Sequence, residues 1–172
     1  MKLTLPVKLA PTLVQHAALL ETMRRFNAAC DAIAQVAFQQ RCANKVALQK
    51  VVYYAIRREF GLSAQLTIRA ISKTVEAYKR DKRVQPRFQP EGAVPYDERI
   101  MSWKGLERVS LLTLQGRQLI PIRLGAYQAA RLDRRQGQAD LVLRGGEFFL
   151  YATLEVPEPP AEPAADYLGV DL

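Results

Sequence analysis

Histidine is almost missing from this sequence. His16 is the only one, and it stands in the first turns of an apolar-periodic run, where a solvated surface position is expected. A single histidine argues against a His-based metal site and against a Ser-His-Asp triad. Cysteine is nearly as scarce. Cys30 and Cys42 are twelve apart with no C-x-x-C, so neither a disulfide framework nor a zinc site is indicated, and both are expected to be inert fillers. No apolar run approaches the roughly 20 residues of a membrane-spanning helix. The first residues alternate and are too short and polar a stretch for a signal peptide. A soluble cytoplasmic protein with no membrane partner is expected.

Positive charge is absent from one end. All 25 Lys and Arg lie at or before Arg144, whereas six of the 17 acidic residues follow it. Residues 1–144 therefore carry +14 and residues 145–172 carry −6. A basic body with an acidic end favours a polyanion partner. Between residues 41 and 90 twelve basic residues face three acidic ones, a net +9.

What is present reads as one strand, a helical stretch and then more strands. Leu3, Leu5, Val7 and Leu9 alternate with polar residues and Pro6, a half-buried strand with an edge or bulge at the proline. Thr12 and Gln15 form a capping box. Leu19, Met23, Phe26, Cys30, Ile33 and Ala37 then follow at helical spacing, to an end near Gln40. Asn44 can cap a second helix with Leu48, Val52, Ala55 and Ile56 inward, and Gly61 is its natural stop. Ser63 can start a third, with Ala64, Ile68, Ile71, Val75 and Tyr78 inward.

The opposite face of that third helix carries Arg69, Lys73 and Arg80. Lys79, Arg80, Lys82 and Arg83 form a basic run, and Arg87 follows. These are the candidate phosphate contacts, with Tyr78, Phe88 and Tyr96 as rings that could stack on bases. A merely solvated charged face is the competing reading, and Tyr78, on the apolar side, fits a core position better.

From Tyr96 the pattern is β. Ile100 and Ser102, 109–114, 117–124, 141–143 and 148–152 read as strands, with turns at Gln115-Gly116 and Gly145-Gly146 and a short polar helix or loop over 125–135. The expected fold class is α+β: a small β-barrel built from 1–10 and 95–156, with a helical insert over 11–94 after its first strand. Four prolines over 157–165 read as a linker. Residues 166–172 end in an apolar strand, Leu168-Gly169-Val170-Asp171-Leu172, presenting one carboxylate. Asp171 is expected to be exposed at a strand end, paired, or holding a metal.

Several segments resemble one family in order: Phe60-Gly61-Leu62-Ser63-Ala64-Gln65 onward to Tyr78-Lys79, then Pro95-Tyr96-Asp97-Glu98-Arg99-Ile100, then 109–117, then 168–172. Together they resemble the TnpB, or OrfB-type, insertion-sequence transposases, which are related to the compact type V CRISPR nucleases. The resemblance implies a wedge-type barrel split by a helical recognition insert, leading into a RuvC nuclease domain. It implies guide RNA and target DNA as partners, with base pairing reading the sequence and the protein reading backbone shape. It implies Mg²⁺ held by acidic side chains, of which Asp171 matches the first. The later acids and the family's zinc segment are not in this sequence, so the 172-residue chain is expected to grip nucleic acid without cutting it. A nuclease-dead RNA-guided or plain DNA-binding repressor is the alternative, and a protein-interaction module the third reading.

Overall fold

The alternation of Leu5, Val7 and Leu9 produces the strand it predicts. In the computed structural model, which describes residues 2–132 and 135–155, β1 runs Lys2–Leu9 with those three side chains buried. The segments 157–165 and 166–172, and Asp171 with them, lie outside the described residues. Three helices follow: α1 Leu13–Gln39, α2 Lys45–Phe60 and α3 Ala64–Arg80. After them come β2 Val94–Tyr96, β3 Met101–Lys104, β4 Arg108–Thr113, β5 Gly116–Arg123, the short α4 Ala126–Ala129, β6 Arg135–Arg144 and β7 Glu147–Glu155.

The strands form one antiparallel sheet in the order β2-β6-β7-β1-β5-β4-β3. β1 therefore lies in the middle. It pairs with β7 from Lys2 to Lys8, but with β5 only at Lys8 and Leu9. Pro6 falls where β1 has a single neighbour, which accommodates a residue without an N–H. The sheet curls until its two end strands almost meet. Residues 97–100 join β2 to β3, Tyr96 Oη donates to Leu112 O at 2.9 Å, and Leu112 N donates to Ile100 O at 2.9 Å. The result is a nearly closed barrel, which leaves little free edge.

Six strands follow the helices, rather than the four or five expected. β2 is three residues long and contains Pro95. β6 begins at Arg135, six residues before the apolar Leu141-Val142-Leu143 that signals it. The hairpin turns fall as expected. Gly145 and Gly146 both have positive φ (58° and 78°), the requirement of a tight two-residue turn.

Each long helix starts on a side-chain cap. The Thr12 hydroxyl accepts from Gln15 N, the Asn44 amide oxygen from Ala47 N, and the Ser63 hydroxyl from Leu66 N. The α1 seam of Leu19, Met23, Phe26, Cys30, Ile33 and Ala37 is fully buried. Leu19, Met23, Phe26 and Ile33 each contribute about 1.5–3 kcal/mol by leaving water. The inward faces of the other two helices match the sequence reading at Leu48, Val52, Ile56, Ile71, Val75 and Tyr78 and differ from it elsewhere. Ala55 and Ala64 are exposed and Ile68 half-buried, while Leu66, Thr67, Ala70 and Thr74 line the α3 interior. The inward stripe of α3 is thus wider than the apolar spacing shows, with hydroxyls satisfied inside: Thr74 Oγ1 donates to Cys30 O and Thr67 Oγ1 to Ser63 O.

The first half of α1 docks on the barrel. Gln15 Nε2 donates to Leu119 O, and the Thr22 hydroxyl accepts from Leu114 N and donates to Ala18 O. His16 is no free surface group. Its Nε2 lies 3.0 Å from Gly146 O and its ring meets Phe148 edge-on at 4.9 Å, so the β6–β7 turn has closed over it. One continuous apolar cluster joins barrel residues such as Leu150 and Ile120 to helical ones such as Phe26 and Ile71.

Candidate nucleic-acid interface

Two of the candidate cations serve the fold. Lys73 Nζ donates to Asn27 Oδ1 (2.8 Å) and to Ala93 O (2.6 Å), and sits over the rings of Phe26 and Phe88 at 5.6 and 5.2 Å. Burial holds its pKa below the ordinary lysine value, against the pull of nearby Asp140 and Asp31. Asn27, itself fully buried, donates to Met23 O, Pro90 O and Gly92 O. Asp31 accepts from Phe88 N, and Arg24 pairs with Glu91 at 2.6 Å. These contacts strap residues 86–93 across α1, with Lys73 as the peg. Arg69 is also turned inward: its Nε lies 3.9 Å from Asp97 Oδ2, with about a fifth of each side chain exposed.

The aromatic candidates are internal. Tyr96 is fully buried and its hydroxyl closes the barrel, so it offers no face to a base. Burial pushes its pKa up. Tyr78 is buried, as its place in the apolar seam predicts, and Phe88 is half-buried beneath Lys73.

Lys79, Arg80, Lys82 and Arg83 share one end of the helical insert, whereas Arg87 precedes Phe88 in the strap. Lys79 and Arg80 occupy the last turn of α3, where cations complement the helix dipole. Asp81 caps the helix in extended conformation. Its carboxylate accepts from Arg83 N, Nε and Nη2 at 2.9–3.2 Å, and these bonds lower its pKa. Arg83 is thereby fixed in direction while remaining 89% exposed. Lys82, Arg80 and Arg87 are exposed as well.

Against this end packs the α1–α2 connection. Arg41 stands there with φ +49°, a left-handed turn that aims the chain back toward α3. Two grooves result. One is lined by Ala43, Asn44, Lys45, Val46, Lys79 and Lys82. The other is lined by Phe38, Gln39, Arg41, Tyr78, Lys82 and Arg83. They share Lys82 and form one cleft of five cations: Arg41, Lys45, Lys79, Lys82 and Arg83. Among the described residues none of the first four pairs with a carboxylate. Unpaired cations around an open groove are free to meet phosphates without first breaking an ion pair.

Arg41 and Lys45 were legible only as part of a charge count, because the cleft is made by elements 40 residues apart. The outer face of α2 went unread as well. Removing its buried positions Leu48, Val52 and Ile56 leaves Lys50, Tyr54, Arg57 and Arg58 in solvent, a deduction the spacing alone permits.

No group of three His, Cys, Asp or Glu that could hold a metal occurs among the described residues. Cys30 is buried and its thiol is pushed up to about 12 by that burial, while Cys42 is half-buried. None of the described helices is long and apolar enough to cross a membrane. No family model matches the sequence, and neither does any curated protein.

Proposed function

We propose that this chain grips nucleic acid by its phosphate backbone, as the guide-RNA- and target-DNA-holding part of an RNA-guided DNA endonuclease of the TnpB type. The observation that carries the reading is the cleft of Arg41, Lys45, Lys79, Lys82 and Arg83, where two chain segments bring together cations with almost no acidic counterweight. Backbone charge is its natural target, because lysines and arginines on open grooves give affinity without sequence preference. The barrel with helices inserted after its first strand is compatible with the wedge-and-recognition layout that the resemblance implies. In this reading Asp171 is the first of the Mg²⁺-binding acids of a RuvC-type domain, and cleavage belongs to that domain.

The test is a salt titration of structured-RNA binding by the full chain. Five phosphate contacts predict a fall in affinity of about 10²-fold between 50 and 200 mM salt. Replacing Arg41, Lys45, Lys79 and Lys82 with glutamine should flatten the slope by about three and weaken RNAs of any sequence alike. A flat response in the wild type, or a variant with unchanged slope, refutes the reading.

A further inference from the structure

We propose that the outer groove at the C-terminal end of α2 is a stacking site for an unpaired base of single-stranded nucleic acid, with Tyr54 as the platform and Arg57 and Arg58 on the adjoining phosphates. The inference rests on the nucleic-acid reading above and adds what kind of strand the site takes.

Tyr54 is 79% exposed, more than any other aromatic ring among the described residues. Exposure alone means little, and Tyr127 supplies the contrast. Tyr127 is 54% exposed, but Arg131 lies 3.8 Å over its ring, so that face is occupied by its own chain. The ring contact of Tyr54 is with Tyr53, edge to face at 5.1 Å and 83°. Among the described residues no cation lies over the Tyr54 ring.

Helical geometry sets Arg57 and Arg58 three and four residues beyond Tyr54, on the same side of α2. The groove is lined by Tyr54, Arg57, Arg58, Gly61 and Leu62. Gly61 has φ +65° and open space where a Cβ would stand, so its side of the groove is bare backbone beside buried Leu62. A ring flanked by two guanidinium groups, neither in an ion pair among the described residues, matches a base between two phosphates.

The site is distinct from the cationic cleft but lies on the same helix. Lys45, at the start of α2, lines the cleft, and Tyr54 is nine residues on, about 14 Å along the axis and about half a turn around it. Lys50 is exposed one turn before Tyr54. A strand leaving the cleft has to wind around α2 past Lys50 to reach the ring. An anionic membrane is a poorer fit. The exposed large apolar residues of α2 are Val46, Val51 and Tyr54, without the Leu, Phe or Trp that bury an interfacial helix.

The experiment uses the full chain and a synthetic single strand of about ten nucleotides carrying 2-aminopurine, whose fluorescence is quenched by stacking. A duplex of equal length, heparin, and phosphatidylserine vesicles serve as comparison probes. Tyr54→Leu should weaken the single strand about 10-fold and abolish the fluorescence change, while Tyr54→Phe stays within about twofold of wild type. Duplex and heparin binding should be unchanged by either. Arg57→Gln with Arg58→Gln should lower the salt slope by between one and two. Melting temperatures of the Tyr54 variants should match wild type, since the side chain is in solvent.

A Tyr54→Leu variant that binds the single strand like wild type overturns the stacking site. So does equal damage from Tyr54→Phe, an equal loss on heparin or duplex, or Tyr54-dependent binding to vesicles instead of oligonucleotide. A wild type that binds no oligonucleotide at all overturns the nucleic-acid reading itself, which separates the two failures.

Discussion

Replacing Lys73 with methionine separates fold from function in the basic helix α3. Methionine is of similar length and removes the charge and three donors. Asn27 Oδ1, on a fully buried side chain, then loses the bond from Nζ at 2.8 Å, and an orphaned buried acceptor costs about 1–3 kcal/mol. Ala93 is exposed, so water can replace the second bond. The stacking of the ammonium on Phe26 and Phe88 adds about 0.5–1 kcal/mol, and relief of ammonium desolvation subtracts a comparable amount. A net loss of about 2 kcal/mol lowers the melting temperature by roughly 4–8 °C in a domain of this size.

The pH dependence carries a sign. Burial holds the folded-state pKa of Lys73 below its ordinary 10.5. Below the folded pKa both states are protonated and the desolvation cost is constant. Between that pKa and 10.5 the unfolded state holds more protons, so wild-type stability rises with pH. The stability gap between wild type and Lys73→Met should therefore widen toward pH 10, since titrations not coupled to Lys73 cancel in the difference. RNA affinity, measured well below both melting points, should not change, whereas Lys79→Met should weaken RNA and lower the melting temperature by at most about 2–4 °C, the share of its helix-dipole contact. An unchanged melting temperature together with weaker RNA binding would refute the assignment of Lys73 to the strap.

Tyr96→Phe should lower stability by about 1 kcal/mol through loss of the bond to Leu112 O, with RNA binding intact; thermal melts and filter binding read both. Cys30 should resist alkylation in the native protein at pH 8 and react only on unfolding, because its pKa is pushed up to about 12 by burial, whereas Cys42 should label first; mass spectrometry of timed samples decides it. Deleting residues 2–9 should abolish the cooperative melt, because β1 bridges β7 and β5 and carries Leu5, Val7 and Leu9 into the core; a surviving β signal in circular dichroism would contradict the sheet order.

The parts of this fold that announce themselves in the sequence are those fixed by near neighbours. The Thr12–Gln15 box, the Gly61 stop, the seam of α1 and the period-two run of β1 are local patterns, and the structure follows each. What stayed illegible depends on distant partners. The polar start of β6 is a strand because β7 pairs with it at Arg135 and again from Ala139, and nothing in its own sequence says so. Lys73 and Tyr96 carry the chemistry of a phosphate contact and a stacking ring. Only the strap at 86–93 and the closure onto Leu112 turn them inward. Conversely, Tyr54 lay in plain sight at an outward position of α2, and spacing alone could have found it.

The central place of β1 has a consequence for how the molecule is made. Its long-range partner is β7, with Lys2 opposite Glu155 and Lys8 opposite Phe149. During synthesis the first strand therefore waits on the order of ten seconds for the last to emerge, at about 5–20 residues per second. The helical insert, built on local contacts, folds in that interval. Meanwhile Leu3, Leu5, Val7 and Leu9 form an unpaired apolar strand on the nascent chain. Pro6, which cannot donate a ladder bond, and Lys2 and Lys8 at either end are the residues that keep such a strand from pairing with the wrong neighbour before its own arrives.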